Sequence, residues 1–119
     1  MKRIVTLMVL FITMSSSAQS NQELTAHYKK YYKQMQSQAD IQGVINALTH
    51  LNVLEPSQAR KDTLATLYMN EGRHVEALNT IGIEKNESDS DLAVQVKAFS
   101  LKAINDIDQA LIHYEELFK

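Results

Sequence analysis

Apolar and polar residues alternate along this chain with a helical period almost throughout. Beyond residue 20, apolar side chains return every three or four positions, which gathers them on one face of an α-helix. Six such segments are predicted. From about Asn21 to Ser37 the face is Leu24, Tyr28, Tyr31 and Met35. After Asp40, a candidate N-cap, it is Ile41, Val44, Ile45, Leu48 and Leu51. Pro56 breaks the chain and Ser57 caps the third segment, where Leu64, Leu67 and Tyr68 line the inner side. The fourth is short: Val75, Leu78 and Ile81 face one way, Gly82 stops it, and Ile83 can supply the apolar contact that follows a glycine cap. A polar, acidic connector from Glu84 to Asp91 follows and is expected to be exposed. Ser88 or Ser90 then caps the fifth segment, with Leu92, Val96 and Phe99 as its stripe and Ala98 and Leu101 beside it. In the sixth, Asp106 and Gln109 make an Asp-headed variant of the capping box. There Ile107, Ala110, Leu111, Tyr114, Leu117 and Phe118 form the inner stripe, and Asp108, His113, Glu115 and Glu116 the outer face. No stretch alternates with the period of a strand for more than a few residues. The expected fold class is all-α.

One segment is more specific. Tyr68 is followed four residues on by Gly72, and then by Ala77-Leu78. Gly72 suits a chain reversal between two helices, and Ala77 is small enough to let the second helix lie close to the first. The same order returns at a spacing of 33: Ala98 after Ala65, Leu101 after Tyr68, Asn105 after Gly72, Ala110 after Ala77 and Leu111 after Leu78. Asn105 can replace a glycine in a left-handed conformation. Over Ser57 to Phe118 the chain resembles the tetratricopeptide repeat, a helical hairpin with a period of about 34 residues. It departs from that family in lacking the Trp of the first helix and in carrying Leu101 and Asn105 in the second copy. The resemblance implies a short α-solenoid of antiparallel hairpins, with Tyr68, Gly72, Ala77, Leu101, Ala110 and Tyr114 as packing positions. It also implies a groove lined by the first helix of each hairpin, carrying Asp62, Thr66 and Met69, then Gln95, Phe99 and Lys102. Met69 and Phe99 would favour an apolar or helical ligand. Ala47-Leu48 echoes Ala77-Leu78 at a spacing of 30 without a Tyr-x-x-x-Gly before it, so residues 19–55 read as a divergent or capping hairpin.

The N-terminus changes the setting. Lys2 and Arg3 precede an uncharged apolar run from Ile4 to Met14, and Ser16 and Ala18 supply the small residues of a peptidase site. The run is shorter than the roughly 20 residues of a spanning helix. Residues 1–18 are therefore expected to be a signal peptide cleaved after Ala18, with export to a bacterial periplasm or beyond and no stable membrane insertion afterwards. Cleavage removes two of twelve basic side chains and leaves fourteen acidic ones, a balance that disfavours nucleic acid. There is no Cys, so stability rests on apolar burial. Three Gly and one Pro argue for one compact helical body.

Catalytic signatures are missing: no nucleophile elbow, no Cys nucleophile, no His-Glu-x-x-His helix and no phosphate loop. His27, His50, His74 and His113 are too far apart in sequence for a local metal pair. No enzyme activity and no cofactor are expected. His74 reads as a solvated turn residue, and His113 to Glu116 as a polar face around one buried Tyr. Lys29, Lys30 and Lys33 among Tyr28, Tyr31 and Tyr32 read as an outer basic face, with Tyr28 and Tyr31 packed inward and Tyr32 off that stripe. Asn86-Glu87-Ser88 has the form of a glycosylation site, which bacterial export would leave unused. The expected function is a non-catalytic interaction module whose partner is another protein or peptide. The alternatives are an accessory segment of a larger envelope enzyme and a structural subunit. Self-association or a longer parent chain could cover the apolar edge of the last hairpin.

Overall fold

A computed structural model describes residues 21–119, all of them helical or in the turns and connectors between helices. The expected signal peptide, residues 1–18, lies outside the described residues. The helices are α1 (residues 21–37), α2 (Ile41–Leu54), α3 (Gln58–Asn70), α4 (His74–Ile81), α5 (Asp91–Ala103) and α6 (Ile107–Leu117). Contacts divide the chain into two compact units at the Glu55–Pro56 junction, where one compact body was expected; the break before the Ser57 cap separates the two contact networks.

In the first unit, Met35 of α1 and Val44, Ile45, Ala47, Leu48 and Leu51 of α2 are buried. Asp40 caps α2, its Oδ1 accepting from Gly43 N at 2.9 Å. Gly43 is there for space: a Cβ on it would run into the Met35 thioether. Tyr28 stacks on His50 with ring centroids 4.4 Å apart, so an aromatic of the expected inner stripe pairs with an imidazole.

The second unit is α3 to α6. α3 packs on α4, α4 on α5 and α5 on α6, and α3 also reaches α5. Ser57, Ser90 and Asp106 each accept a bond from a main-chain N–H three residues on, which starts α3, α5 and α6. Ala65 and Ala77 meet Val96 of α5 in one buried cluster, with Tyr68, Met69 and Ile81 packed around it. Leu78, Leu101 and Ala110 form a second cluster, flanked by Tyr114.

Three chain reversals share one geometry. Ala39, Gly72 and Asn105 have φ of 54°, 78° and 70°, and they lie 33 residues apart. The residue after each donates back to a carbonyl five residues earlier: Asp40 to Met35 at 3.0 Å, Arg73 to Tyr68 at 2.8 Å, Asp106 to Leu101 at 2.9 Å. This 6→1 bond is the Schellman closure of a helix end. The register of the first hairpin therefore differs from the 30-residue echo read through Ala47. Val44, not Ala47, is the counterpart of Ala77 and Ala110. Ala39 supplies the left-handed residue without the glycine that would have marked it.

The connector after α4 and the last two helices depart further from expectation. Lys97 is only 1% exposed, and its ammonium donates to Glu84 O and to Asp89 Oδ2, each at 2.8 Å. His113, expected on the outer face, is fully buried, with Nε2 2.7 Å from Ile83 O. A carbonyl only accepts, so Nε2 carries the proton and donates it. Lys85 reaches Glu116 at 2.9 Å and, with Lys119, holds that carboxyl below the usual carboxylate range. Two main-chain oxygens and one carboxylate of the connector thus receive the Lys97 ammonium and the His113 Nε2–H, which leaves His113 Nδ1 buried without a protein partner, and the connector lies over α5 and α6. Ile83 uses its carbonyl here and leaves its side chain 44% exposed. The buried face of α5 is Ala93, Val94, Val96, Lys97, Ala98, Ser100 and Leu101, while Leu92 and Phe99 of the expected stripe are exposed.

Two outcomes follow in chemical denaturation. Nothing lies within 4 Å of a Cβ added at Gly72, so Gly72→Ala should cost only the left-handed backbone, about 1 kcal/mol, whereas Ala39→Gly should stabilise by about 0.5 kcal/mol. Lys97→Met strips Asp89 and the Glu84 carbonyl of their buried donor and should cost about 3–5 kcal/mol, much of it recovered in Lys97→Met combined with Asp89→Leu.

Candidate interaction surface

The expected groove residues separate into two groups. On α3, Asp62 is buried, and its carboxylate accepts from Ser90 Oγ at 2.8 Å and from Gln58 Nε2 at 3.0 Å. The same Ser90 oxygen accepts from Ala93 N, so Asp62 fastens α3 to the cap of α5. That corrects its placement on an open groove: a carboxylate taken out of water needs such donors. Thr66 is half-buried and returns its hydroxyl to Asp62 O at 2.7 Å. Met69 is half-buried against the Ala65–Ala77–Val96 cluster. On α5, by contrast, Gln95, Phe99 and Lys102 are all exposed.

The packing positions lie around the two clusters. Tyr68 is half-buried beside the first, with the Arg73 guanidinium 4.7 Å above its ring. Ala77, Leu101 and Ala110 are buried, and Tyr114 packs against the second cluster. His74, expected in solvent, is half-buried, with Nδ1 3.4 Å from the buried Ser100 Oγ.

A pocket of about 310 Å³ opens between the end of α5 and the face of α6, lined by Lys102, Ile107, Ala110, Leu111 and Tyr114. Phe99 stands edge-on to Tyr114 with ring centroids 5.8 Å apart and extends the apolar wall. Leu111 is 52% and Ile107 45% exposed, although both belong to the stripe expected to be inward. The stripe is real; among the described residues no further helix covers it. Lys102 is the single cation of the lining. A lining of this kind has room for apolar groups, and Lys102 places one positive charge at its rim.

Sequence reasoning placed Lys102 and Phe99 on a ligand face but assigned Ile107 and Leu111 to the interior. The 33-residue repeat carried the missing signal, because a face covered in one copy is identified by what covers it. Among the described residues no three His, Asp or Glu side chains gather to hold a metal ion, and no helix is long and apolar enough to cross a membrane. Compared with models of known protein families, with curated proteins and with solved structures, the chain matches none.

An uncovered face tolerates substitution where a covered one does not. Leu111→Glu should shift the unfolding free energy by no more than about 0.5 kcal/mol, while Phe99→Ala, which removes the edge-on contact with Tyr114, and Met69→Ala should each cost about 1 kcal/mol or more. Thermal melts of the three variants check this.

Proposed function

We propose that the chain is an exported, non-catalytic helical-repeat module of tetratricopeptide type that binds another protein through its last hairpin. The observation that supports this reading most is the triple recurrence of one chain reversal at a spacing of 33 residues, with Ala39, Gly72 and Asn105 each left-handed and each closed by the same hydrogen bond. A chain built by repeating one hairpin presents successive, similar faces, and a face without a neighbour is where a partner docks. The α5–α6 pocket is such a face, and its apolar lining suits protein more than nucleotide or sugar. The basic, apolar and small-residue order of residues 2–18 motivates export, after which the acidic balance of the chain keeps it from nucleic acid and anionic surfaces.

The test is cross-linking in the producing cells, followed by purification of the tagged chain from the envelope or the medium. The purified chain should begin at Gln19. A discrete partner should be retained by the wild type and lost with Leu111→Glu. A chain still carrying residues 1–18 in the membrane fraction would overturn export. Recovery of the same species with both forms, or of none, would overturn binding at the last hairpin.

A further inference from the structure

The five side chains that line the α5–α6 pocket are counterparts, 33 residues later, of five that hold α5 in place. Lys102 corresponds to Met69, Ala110 to Ala77 and Tyr114 to Ile81, and those three pack around Val96 of α5. Leu111 corresponds to Leu78, which packs on Leu101 of α5. Ile107 corresponds to His74, which faces Ser100 of α5 at 3.4 Å. The pocket therefore continues, one repeat further on, an interface that the fold already uses. On the α3–α4 hairpin that interface is filled by one face of one helix, through Val96, Ser100 and Leu101.

We propose that the α5–α6 pocket is the seat of an amphipathic α-helix from a partner protein, laid across α6 as α5 is laid across α4. The proposal rests on the binding-module reading above and names the chemistry of the partner. A β-branched residue of the incoming helix sits over Ala110, as Val96 sits over Ala77. Four residues on, where α5 offers Ser100 to His74, the counterpart wall is Ile107, so the incoming residue is small and apolar. The next residue, at the Leu101 position, is a leucine against Leu111. Lys102 stands where Met69 closes the α3–α4 seat, so the incoming helix carries a carboxylate beside its β-branched residue. A second copy of this chain fits poorly. The residue of α1 two repeats before Val96 is Lys30, which would bring an ammonium to an apolar wall beside Lys102. Met35, which stands two repeats before Leu101, is already buried within its own unit.

A peptide of residues 89–104 carrying Gln95→Glu and Ser100→Ala is the probe, since it is the chain's own seat-filling helix with its polar contact removed and a carboxylate set beside Val96. Titrated into the purified, isotope-labelled chain, it should perturb the amide signals of Lys102, Ala110, Leu111 and Tyr114 and saturate. So short a helix is only marginally formed when free, so binding will be weak. Leu111→Glu in the protein, or Val96→Lys in the peptide, should each weaken it by about tenfold or more. Three results would overturn the proposal. One is no saturable change at the solubility limit of the peptide. Another is perturbation centred on Ala65 and Ala77, where the peptide would merely exchange with α5. The third is concentration-dependent change at the pocket residues without peptide, which would make a second copy the occupant. The titration reads the seat alone: its failure leaves capture of a partner from the envelope standing, and failure of that capture leaves the titration unaffected.

Discussion

Each hairpin depends on one left-handed residue at the end of its first helix. With that residue at positive φ, the next N–H turns back and closes on a carbonyl five residues earlier, which ends the first helix and redirects the chain into the second. Five residues beyond each reversal the second helix meets the first, and Val44, Ala77 and Ala110 stand there, all buried. Where the residue is alanine the backbones come close enough for a third helix to rest on both, as Val96 does against Ala65 and Ala77. Where it is Val44, the adjacent Gly43 restores the space needed by Met35. Reversal, crossing and seat are thus one geometric sequence, and only the last step differs from one hairpin to the next.

The connector between α4 and α5 is fastened by groups usually found in solvent. An ammonium in the interior is tolerable only when its donors are occupied, and Glu84 O and Asp89 supply that for Lys97. The imidazole of His113 meets the same requirement through Ile83 O. With the helical clusters built of Ala, Val and Leu, these polar ties set where an otherwise irregular, acidic segment lies. They also settle which side of α6 turns inward. Burying His113 turns Ala110 toward α5 and leaves Ile107 and Leu111 to the pocket. The exposed apolar wall is therefore a consequence of the connector's anchoring as much as of the helix's own pattern.

What can be read from residues in order is what depends on neighbours in order. Asp40, Ser57 and Asp106 were legible as caps because a cap bonds to an N–H three residues away. The six helices and the 33-residue recurrence from Tyr68 to Leu101 were legible for the same local reason. The turn at Ala39 was not, because alanine carries no mark of a left-handed conformation. The burial of Lys97 and His113 was not, because their partners are chiefly main-chain carbonyls, which every residue possesses. The inward placement of Asp62 depends on Ser90, 28 residues away, and only the packing of α3 on α5 brings the two together. Periodicity likewise showed that Ile107 and Leu111 share an apolar face, but a face is covered or left open by other elements. The sequence by itself determined helices, caps and repeat spacing, since these are short-range hydrogen bonding and side-chain spacing. The tertiary structure alone decided which polar groups are buried and which apolar face remains free, since both depend on atoms brought together from distant parts of the chain.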